Sequence, residues 1–351
     1  MLALQKEKSV FSIRQVRTNG VFRVEWNQTL LSFSAFARKL KRMKAFDPRL
    51  SESLQKSLAG YLPNRGWRLP GPNHPSFRWK KRTQVMGVLN VTPDSFSDGG
   101  AFIDPDLAVE QALQMQEEGA DWIDVGGEST RPGARSVSSR EEKKRVIPVI
   151  RACARALRIP ISIDTYKAEV ARAAVGEGAR MVNDIGALGL DRGMARTLAQ
   201  LKVPVILMHM KGRPRTMQVK PVYAEVVEDV LLFLRDRMRL AREAGIQEER
   251  ILLDPGFGFG KSHWHNLELT RRLFELKTLG RPLVFGPSRK STLGVLLGGL
   301  GSAERLDATL AAVTAGVLHG ADFVRVHDVQ NTVRAVKIAD ALRYDRGLKR
   351  P

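Results

Sequence analysis

From Thr83 onward, short apolar runs alternate with longer stretches whose apolar residues recur at three- and four-residue spacing. The short runs suit buried parallel strands and the longer stretches suit helices that cover a sheet. Eight strands are expected, at Val85–Asn90, Trp122–Gly126, Ile161–Asp164, Met181–Asp184, Val205–Met208, Ile251–Asp254, Leu283–Gly286 and Phe323–Val326. Helices are expected over Leu107–Glu118, Val146–Leu157, Ala168–Gly176, Arg192–Leu201, Tyr223–Ala244, Leu267–Leu276, Arg305–Leu318 and Val333–Leu342. Asp104-Pro105 supplies an N-cap and a first-turn proline to the first helix, and Ser139 with Glu142 a capping box to the second. Eight strand–helix units without a break in composition fit one (β/α)8 TIM barrel better than a doubly wound sheet.

The first 80 residues follow another pattern. Phe33, Phe36 and Leu40 predict an amphipathic helix over Leu30–Leu40, and Leu54 with Leu58 a second over Ser51–Leu58. Pro63-Asn64-Arg65-Gly66 and Pro70-Gly71-Pro72-Asn73-His74-Pro75 read as a turn-rich linker. Charge divides the chain at the same place. The net charge is +20, and residues 1–82 hold 18 Lys and Arg against 4 Asp and Glu, so +14 belongs to the front and +6 to the rest. A basic N-terminal extension over residues 1–80 is therefore expected before a barrel over 81–345.

Such an extension can bind nucleic acid or an acidic surface, or be a solvated tail. Its cations are scattered, with few aromatics among them and no recognised binding motif, so nucleic acid is not the expected partner. The start lacks the continuous apolar core of a secretory signal. Its Arg-, Lys- and Ser-rich, acid-poor composition is shared with transit peptides, but a small accessory segment is the preferred reading. No apolar run reaches the length of a membrane span, so no membrane partner is expected. The single cysteine, Cys153, excludes an intrachain disulfide and a multi-cysteine zinc site, and suits a reducing, cytoplasmic compartment.

Polar residues gather where the expected strands end. Asn90 closes the first and leads into Thr92-Pro93-Asp94-Ser95-Phe96-Ser97-Asp98-Gly99-Gly100. Asp124 lies in the second, which leads into Gly127-Glu128-Ser129-Thr130-Arg131-Pro132-Gly133. Asp164-Thr165, Asn183-Asp184 and His209-Met210 follow the next three. Asp254-Pro255-Gly256-Phe257-Gly258-Phe259-Gly260-Lys261 follows the sixth, Ser288-Arg289-Lys290-Ser291 the seventh, and Arg325-Val326-His327-Asp328 the eighth. In a barrel these ends converge on one mouth, where ligands bind.

Asp164, Asn183 and Asp254 suit the donor edge of a planar heterocycle. Thr130, Arg131, Ser288, Lys290, Arg325 and His327 suit an anion, each charged hydrogen bond being worth roughly 1.5–3 kcal/mol. Asn90 suits Mg²⁺, a cation that takes oxygen ligands and keeps water and substrate phosphate around it. Singly, Asp164 and Asp184 are equally consistent with helix caps, Asn90 and the Ser288–Ser291 stretch with turns, and His209 with an ordinary buried histidine. His263, His265 and His319 read as surface or helix residues. The loop after Asp254 is not a P-loop, because Gly260-Lys261-Ser262 would require glycine where Pro255 stands.

These motifs together resemble the dihydropteroate synthases. Met86 to Gly100 is similar to the first family signature and Asp124 to Gly133 to the second. Asp164-Thr165, Val182-Asn183-Asp184-Ile185, Met208-His209-Met210, the Asp254 loop, Ser288-Arg289-Lys290 and Arg325-Val326-His327-Asp328 follow in order, over roughly residues 83–345. The resemblance implies a pterin-binding barrel that condenses 6-hydroxymethyl-7,8-dihydropterin diphosphate with 4-aminobenzoate. It implies that Asp164, Asn183, Asp254 and Lys290 hold the pterin, with Met210 and Phe259 packed near it. It implies that Thr130, Arg325 and His327 hold the diphosphate, and Asn90 its Mg²⁺. Phe96, Pro132 and Ser291 would frame the aminobenzoate, under loops carrying Asp98 and Arg131. Asp164, Arg131, Asp98 and Lys290 would be the catalytic set, in a homodimer joined through the last two barrel helices. A methyltransferase of the same barrel type, using a methylated tetrahydrofolate, is the alternative, but it has no use for a diphosphate site.

Overall fold

A computed structural model describes residues 82–92, 104–129, 133–134, 136–212 and 216–344, and the strands of the segment before residue 82. The chain divides into two compact units, one mainly of residues 1–62 and the other mainly of residues 63–351.

The first unit contains an antiparallel sheet of four strands in sequence order, β1 (Leu2–Lys6), β2 (Ser9–Thr18), β3 (Val21–Trp26) and β4 (Thr29–Ser32). This corrects the helix expected from Leu30, because Leu30 and Leu31 pair with Glu25 and Val24 across the sheet. The overlooked signal is local. Asn19-Gly20 separates two β-branched and aromatic runs, and Thr18 pairs with Val21. The remainder of that expected helix, and the one over Ser51–Leu58, lie outside the described residues. In the second unit, β5 (Gly66–Arg68) and β6 (Ser76–Arg78) form a two-stranded antiparallel pair where the linker was expected.

Eight parallel strands follow: β7 (Gln84–Asn90), β8 (Trp122–Gly126), β9 (Ile161–Asp164), β10 (Met181–Asp184), β11 (Val205–Met208), β12 (Ile251–Asp254), β13 (Val284–Phe285) and β14 (Phe323–Val326). They pair in chain order, β14 pairs with β7, and Leu253 bridges Leu283, so the sheet closes into the expected TIM barrel. The intervening helices are α1 (Pro105–Glu117), α2 (Ser139–Ala156), α3 (Ala168–Gly176), α4 (Met194–Leu201), α5 (Val226–Glu243), α6 (His263–Arg271), α7 (Ser291–Leu296), α8 (Leu306–Leu318) and α9 (Val329–Tyr344). Asp104 caps α1 as expected. The cap of α2 is Ser138, not Ser139, because Glu142 is buried and engaged by Lys167. Helix α6 ends early and gives way to a 3-10 turn over Leu273–Leu279.

Met86, Trp122, Met181, Ile206, Leu252, Val284 and Phe323 form one buried cluster with a side chain from seven of the eight strands. Side chains two positions apart on a strand point the same way. The residues two positions further along are therefore stacked above this plug, and they include Asp124, Asn183, Met208, Asp254, Gly286 and Arg325.

The opposite end carries ion pairs instead. Asp340 accepts from the Thr83 amide and hydroxyl, both at 2.7 Å. Buried Lys277 pairs with buried Asp322, which also accepts from the Leu283 amide at 2.9 Å. Asp322→Ala leaves the Lys277 ammonium buried and unpaired, so the barrel should lose about 3–5 kcal/mol, read by urea unfolding. Pocket ligands should bind as before.

Candidate active site

The strand ends enclose a cleft of about 350 Å³, including its open mouth, lined by Asp164, Asn183, Ile185, Met208, Asp254, Gly256, Phe257, Phe259, Gly286, Lys290 and Arg325. Six strand ends or the loops behind them supply it. Of the expected acceptors and cations, Asp164, Asn183, Asp254, Lys290 and Arg325 line this cleft, and Asn90, Ser288 and His327 are not in its lining.

Arg325 crosses the floor of this cleft. Its Nε donates to Asp124 Oδ2 at 2.6 Å and its Nη2 to Asp164 Oδ2 at 2.8 Å. Asn183 Nδ2 donates to the same Asp124 oxygen at 3.0 Å, which leaves the amide oxygen of Asn183 for another partner. Asp124 is fully buried, and its Oδ1 has no hydrogen-bond partner. Burial pushes the Asp164 carboxyl up to about 7; Arg325 opposes this and Asp124 adds to it. Burial works against the charge of Arg325 as well, but Asp124 and Asp164 outweigh it and hold the guanidinium above its ordinary range.

Asp254 ends β12, buried, and its Oδ1 accepts the Gly256 amide at 2.6 Å. Burial raises its carboxyl to about 6, against that hydrogen bond and the charges of Lys261, Arg325 and Lys290. The glycine loop then turns back on itself. Gly256 has φ +68°, and a Cβ there would sit 1.9 Å from the His209 carbonyl oxygen. Lys290 lays its ammonium 4.2 Å from the centre of the Phe259 ring. Phe259 in turn packs with Ile185, Met208, Met210 and Met217 in an apolar wall.

Ser288 is buried and addresses His327 twice: its Oγ lies 2.9 Å from Nδ1 and accepts the His327 amide at 3.2 Å. With the Ser288 hydroxyl donating to Nδ1, the imidazole proton is assigned to Nε2. Burial, with Arg325 and Arg289 nearby, lowers the imidazole to about 3, so His327 is a neutral donor rather than a cation. Arg289 has φ +57° and pairs with Asp328, turned away from an anion role. Ser291 opens α7, exposed. Asn90 ends β7, partly exposed; a Cβ on Gly126 would meet its Oδ1 at 3.9 Å and Asp164 Oδ2 at 3.8 Å. The glycine thus leaves both oxygens facing one small space. Phe96, Asp98, Thr130, Arg131 and Pro132 lie outside the described residues.

Three other expectations resolve simply. Asp184 forms a turn, accepting the Gly186 and Leu188 amides at 2.8 and 2.7 Å. His209 is buried and bonded to Lys261. His265 completes a capping box with Ser262 at the start of α6.

The residues that sequence reasoning passes over are the supports. Lys167, buried, pairs with Glu128 and Glu142, and Tyr166 donates to Glu128 at 2.9 Å. They tie Glu128, which follows β8, to the residues that follow the strand end carrying Asp164. Lys261 does similar work behind the glycine loop. Tyr166, Lys167, Glu128 and Lys261 sit two or three positions from a site residue, whereas Glu142 lies ten from Pro132.

Residues 86–327 match the family described as pterin binding enzyme. The dihydropteroate synthase of Synechocystis is 49% identical over 266 residues, covering 76% of this chain and 92% of its own length. That of Escherichia coli K12 is 48% identical, over 73% of this chain and 90% of its own. A crystal structure of the Yersinia pestis dihydropteroate synthase with a sulfonamide drug superposes with a TM-score of 0.75 at 42% identity, over 80% of this chain and 99% of that one. The Xanthomonas albilineans dihydropteroate synthase in complex with 7,8-dihydropteroate gives 0.68 at 43% identity, over 75% and 94%.

Gly256→Ala should cost about 1–3 kcal/mol in urea unfolding, since the new methyl meets fixed backbone. Gly176→Ala, in helix α3 with nothing within 4 Å of its Cβ, should instead stabilise by about 0.4–1 kcal/mol.

Proposed function

We infer the reaction from one premise: this chain belongs to the pterin-binding enzymes, in the dihydropteroate synthase family. It condenses 6-hydroxymethyl-7,8-dihydropterin diphosphate with 4-aminobenzoate, giving 7,8-dihydropteroate and pyrophosphate in folate biosynthesis. The observation that carries this reading is the cleft itself, where Asp164, Asn183 and Asp254 stand beside Lys290 and Arg325.

In this reading Asp164, Asn183, Asp254 and Lys290 hold the pterin, with Met210 and Phe259 packed against it. Asn183 offers its oxygen because Asp124 takes its amide. Thr130, Arg325 and His327 hold the diphosphate. Phe96, Pro132 and Ser291 frame the aminobenzoate, and the loops of Asp98 and Arg131 close over it and exclude water.

As the C–O bond breaks, negative charge grows on the departing diphosphate and positive charge on the pterin. Arg325, already fixed by two carboxylates, and the Nε2–H of His327 donate to the leaving oxygens with little rearrangement. Asp164 and Asp254 stabilise the cationic ring. The arylamine needs no base to attack, because its nitrogen lone pair is free. Protonation of Asp164 or Asp254 removes both an acceptor and a charge, so pterin affinity falls as pH drops through about 7 and then about 6.

Asn90 is the residue that would hold Mg²⁺. Among the described residues no group of three or more His, Cys, Asp or Glu could bind a metal. A single amide oxygen beside the small space left by Gly126 fits an ion that completes its shell from water and substrate phosphate. When bound, the ion neutralises charge on the diphosphate.

A methyltransferase of the same barrel type would share the acceptors and Lys290 but leave Arg325 and His327 without a diphosphate to serve. The homodimer belongs to the proposal too; exposed Ile338 and Leu342 on α9, at 64% and 69%, support it. So does the cytoplasm; no helix among the described residues is long and apolar enough to cross a membrane. We assign the catalytic unit to residues 81–345 and no role to the basic extension.

Purified chain mixed with both substrates and Mg²⁺ should release pyrophosphate in step with dihydropteroate; no release would overturn the reading. Asp254→Ala loses charged hydrogen bonds of about 1.5–3 kcal/mol each, so calorimetry should record pterin binding at least about tenfold weaker with the fold intact. Because the anion helps build the aminobenzoate pocket, 4-aminobenzoate should bind only with pyrophosphate or pterin diphosphate present. Equal binding without either contradicts that order.

A further inference from the structure

Lys261 is only 2% exposed, yet its ammonium has no carboxylate within 4 Å among the described residues. It donates instead to the carbonyl oxygens of Gly256 at 2.9 Å and Phe259 at 3.0 Å and to His209 Nδ1 at 2.8 Å. An ammonium has three donors, and here each has an acceptor. Burying such a charge without an ion pair is costly, and a lysine retained there requires a compensating purpose.

The geometry around it is specific. Gly256 is gripped on both sides: Asp254 accepts its amide and Lys261 donates to its carbonyl. Phe259, whose ring faces Lys290, is held by the same ammonium. His209 must accept at Nδ1, so its proton is on Nε2, and its ring packs edge-on against Phe233 at 4.8 Å. Burial, with Lys261 and Lys211 nearby, lowers His209 to about 2, so the pair holds a single charge, on lysine.

We propose that Lys261 is a positioning residue for the pterin, holding the glycine loop in place from behind while its charge keeps Asp254 a carboxylate. This rests on the pterin role proposed for Asp254. The charges facing Asp254 are Lys261 from its own loop, Lys290 from the loop after β13 and Arg325 from β14; Lys261 is the strongest of them. The groups facing Lys261 are Asp254, His209 and His265, with Lys211 near both histidines. Burial lowers the Lys261 ammonium to about 7, and Asp254 works to restore it.

The sign of the effect follows. Asp254 accepts a ring N–H as a charged hydrogen bond only when ionised, so affinity weakens as pH falls through its pKa. Without the ammonium that pKa rises, and the acid limb moves to higher pH. Mere disorder of the loop would weaken binding equally at every pH.

The test uses the full chain and 6-hydroxymethylpterin, titrated calorimetrically between about pH 5.5 and 8.5. Lys261→Met should bind about tenfold more weakly near neutrality, with its acid limb displaced upward by about half a unit or more. The KM for 4-aminobenzoate at saturating pterin diphosphate should stay within about twofold. His209→Asn, whose amide oxygen replaces Nδ1, should keep the wild-type limb, whereas His209→Leu should move it upward; this pair carries the test if Lys261→Met does not fold. An unmoved limb in Lys261→Met, or in His209→Leu where that pair decides, overturns the inference. Absence of pterin binding by the wild type would overturn the role of Asp254 instead.

Discussion

The two-residue repeat of a β-strand is the constraint from which the rest of this structure follows. An apolar plug of Met86, Trp122, Met181, Ile206, Leu252, Val284 and Phe323 fills the barrel across seven strands. Each large side chain in it contributes about 1.5–3 kcal/mol by leaving water. Because the pleat alternates, the same face must carry whatever stands two positions later. That is how Asn183, Asp254 and Arg325 come to line one cleft, with Asp124 bonded beneath them, although they lie far apart in sequence. Slipping one strand by a residue would turn its polar group outward and expose its share of the plug together.

The two ends of the barrel use charge differently. At the strand starts, Lys277–Asp322 and Thr83–Asp340 are closed pairs that fasten strands to neighbouring elements. At the strand ends, Asp124, Asp164 and Asp254 share the neighbourhood of Arg325, Lys290 and Lys261, and burial moves several of them far from their ordinary pKa values. Buried charges in such numbers do not strengthen a fold, since the cost of removing them from water matches or exceeds their mutual attraction. Their concentration at one end is therefore better explained by a ligand that carries complementary groups.

The barrel was legible from sequence because its strands are short, uniformly apolar and closed by a polar residue. Six of the eight observed strands, from Trp122–Gly126 to Phe323–Val326 and excepting β7 and β13, have the expected limits. The cleft-lining residues were legible for the same reason. Lys261 was not, because a lysine after glycines reads as a surface or phosphate-binding residue, and its burial depends on where His209 arrives from another strand. Glu128, Glu142 and Lys167 were hidden likewise, with Glu142 taken for a capping partner. In the front segment, Leu30 and Leu31 fit a helical spacing, but pairing with β3 decides their conformation. Non-local partners override local pattern in all three cases.

Asp124 shows what such partners add. One oxygen accepts from both Asn183 and Arg325, and so fixes the orientation of an amide assigned to the pterin and of a guanidinium assigned to the diphosphate. Its chain is short enough to stay below the cleft, where a longer glutamate would reach into it. Asp164 occupies the other side of Arg325, so the guanidinium is held in place before any anion arrives. Asn183, Asp124, Arg325 and Asp164 thus form one hydrogen-bonded unit, to which the proposal assigns both halves of the substrate. In the proposed roles, the guanidinium that meets the departing anion is held in place by a carboxylate that also faces the cation left behind.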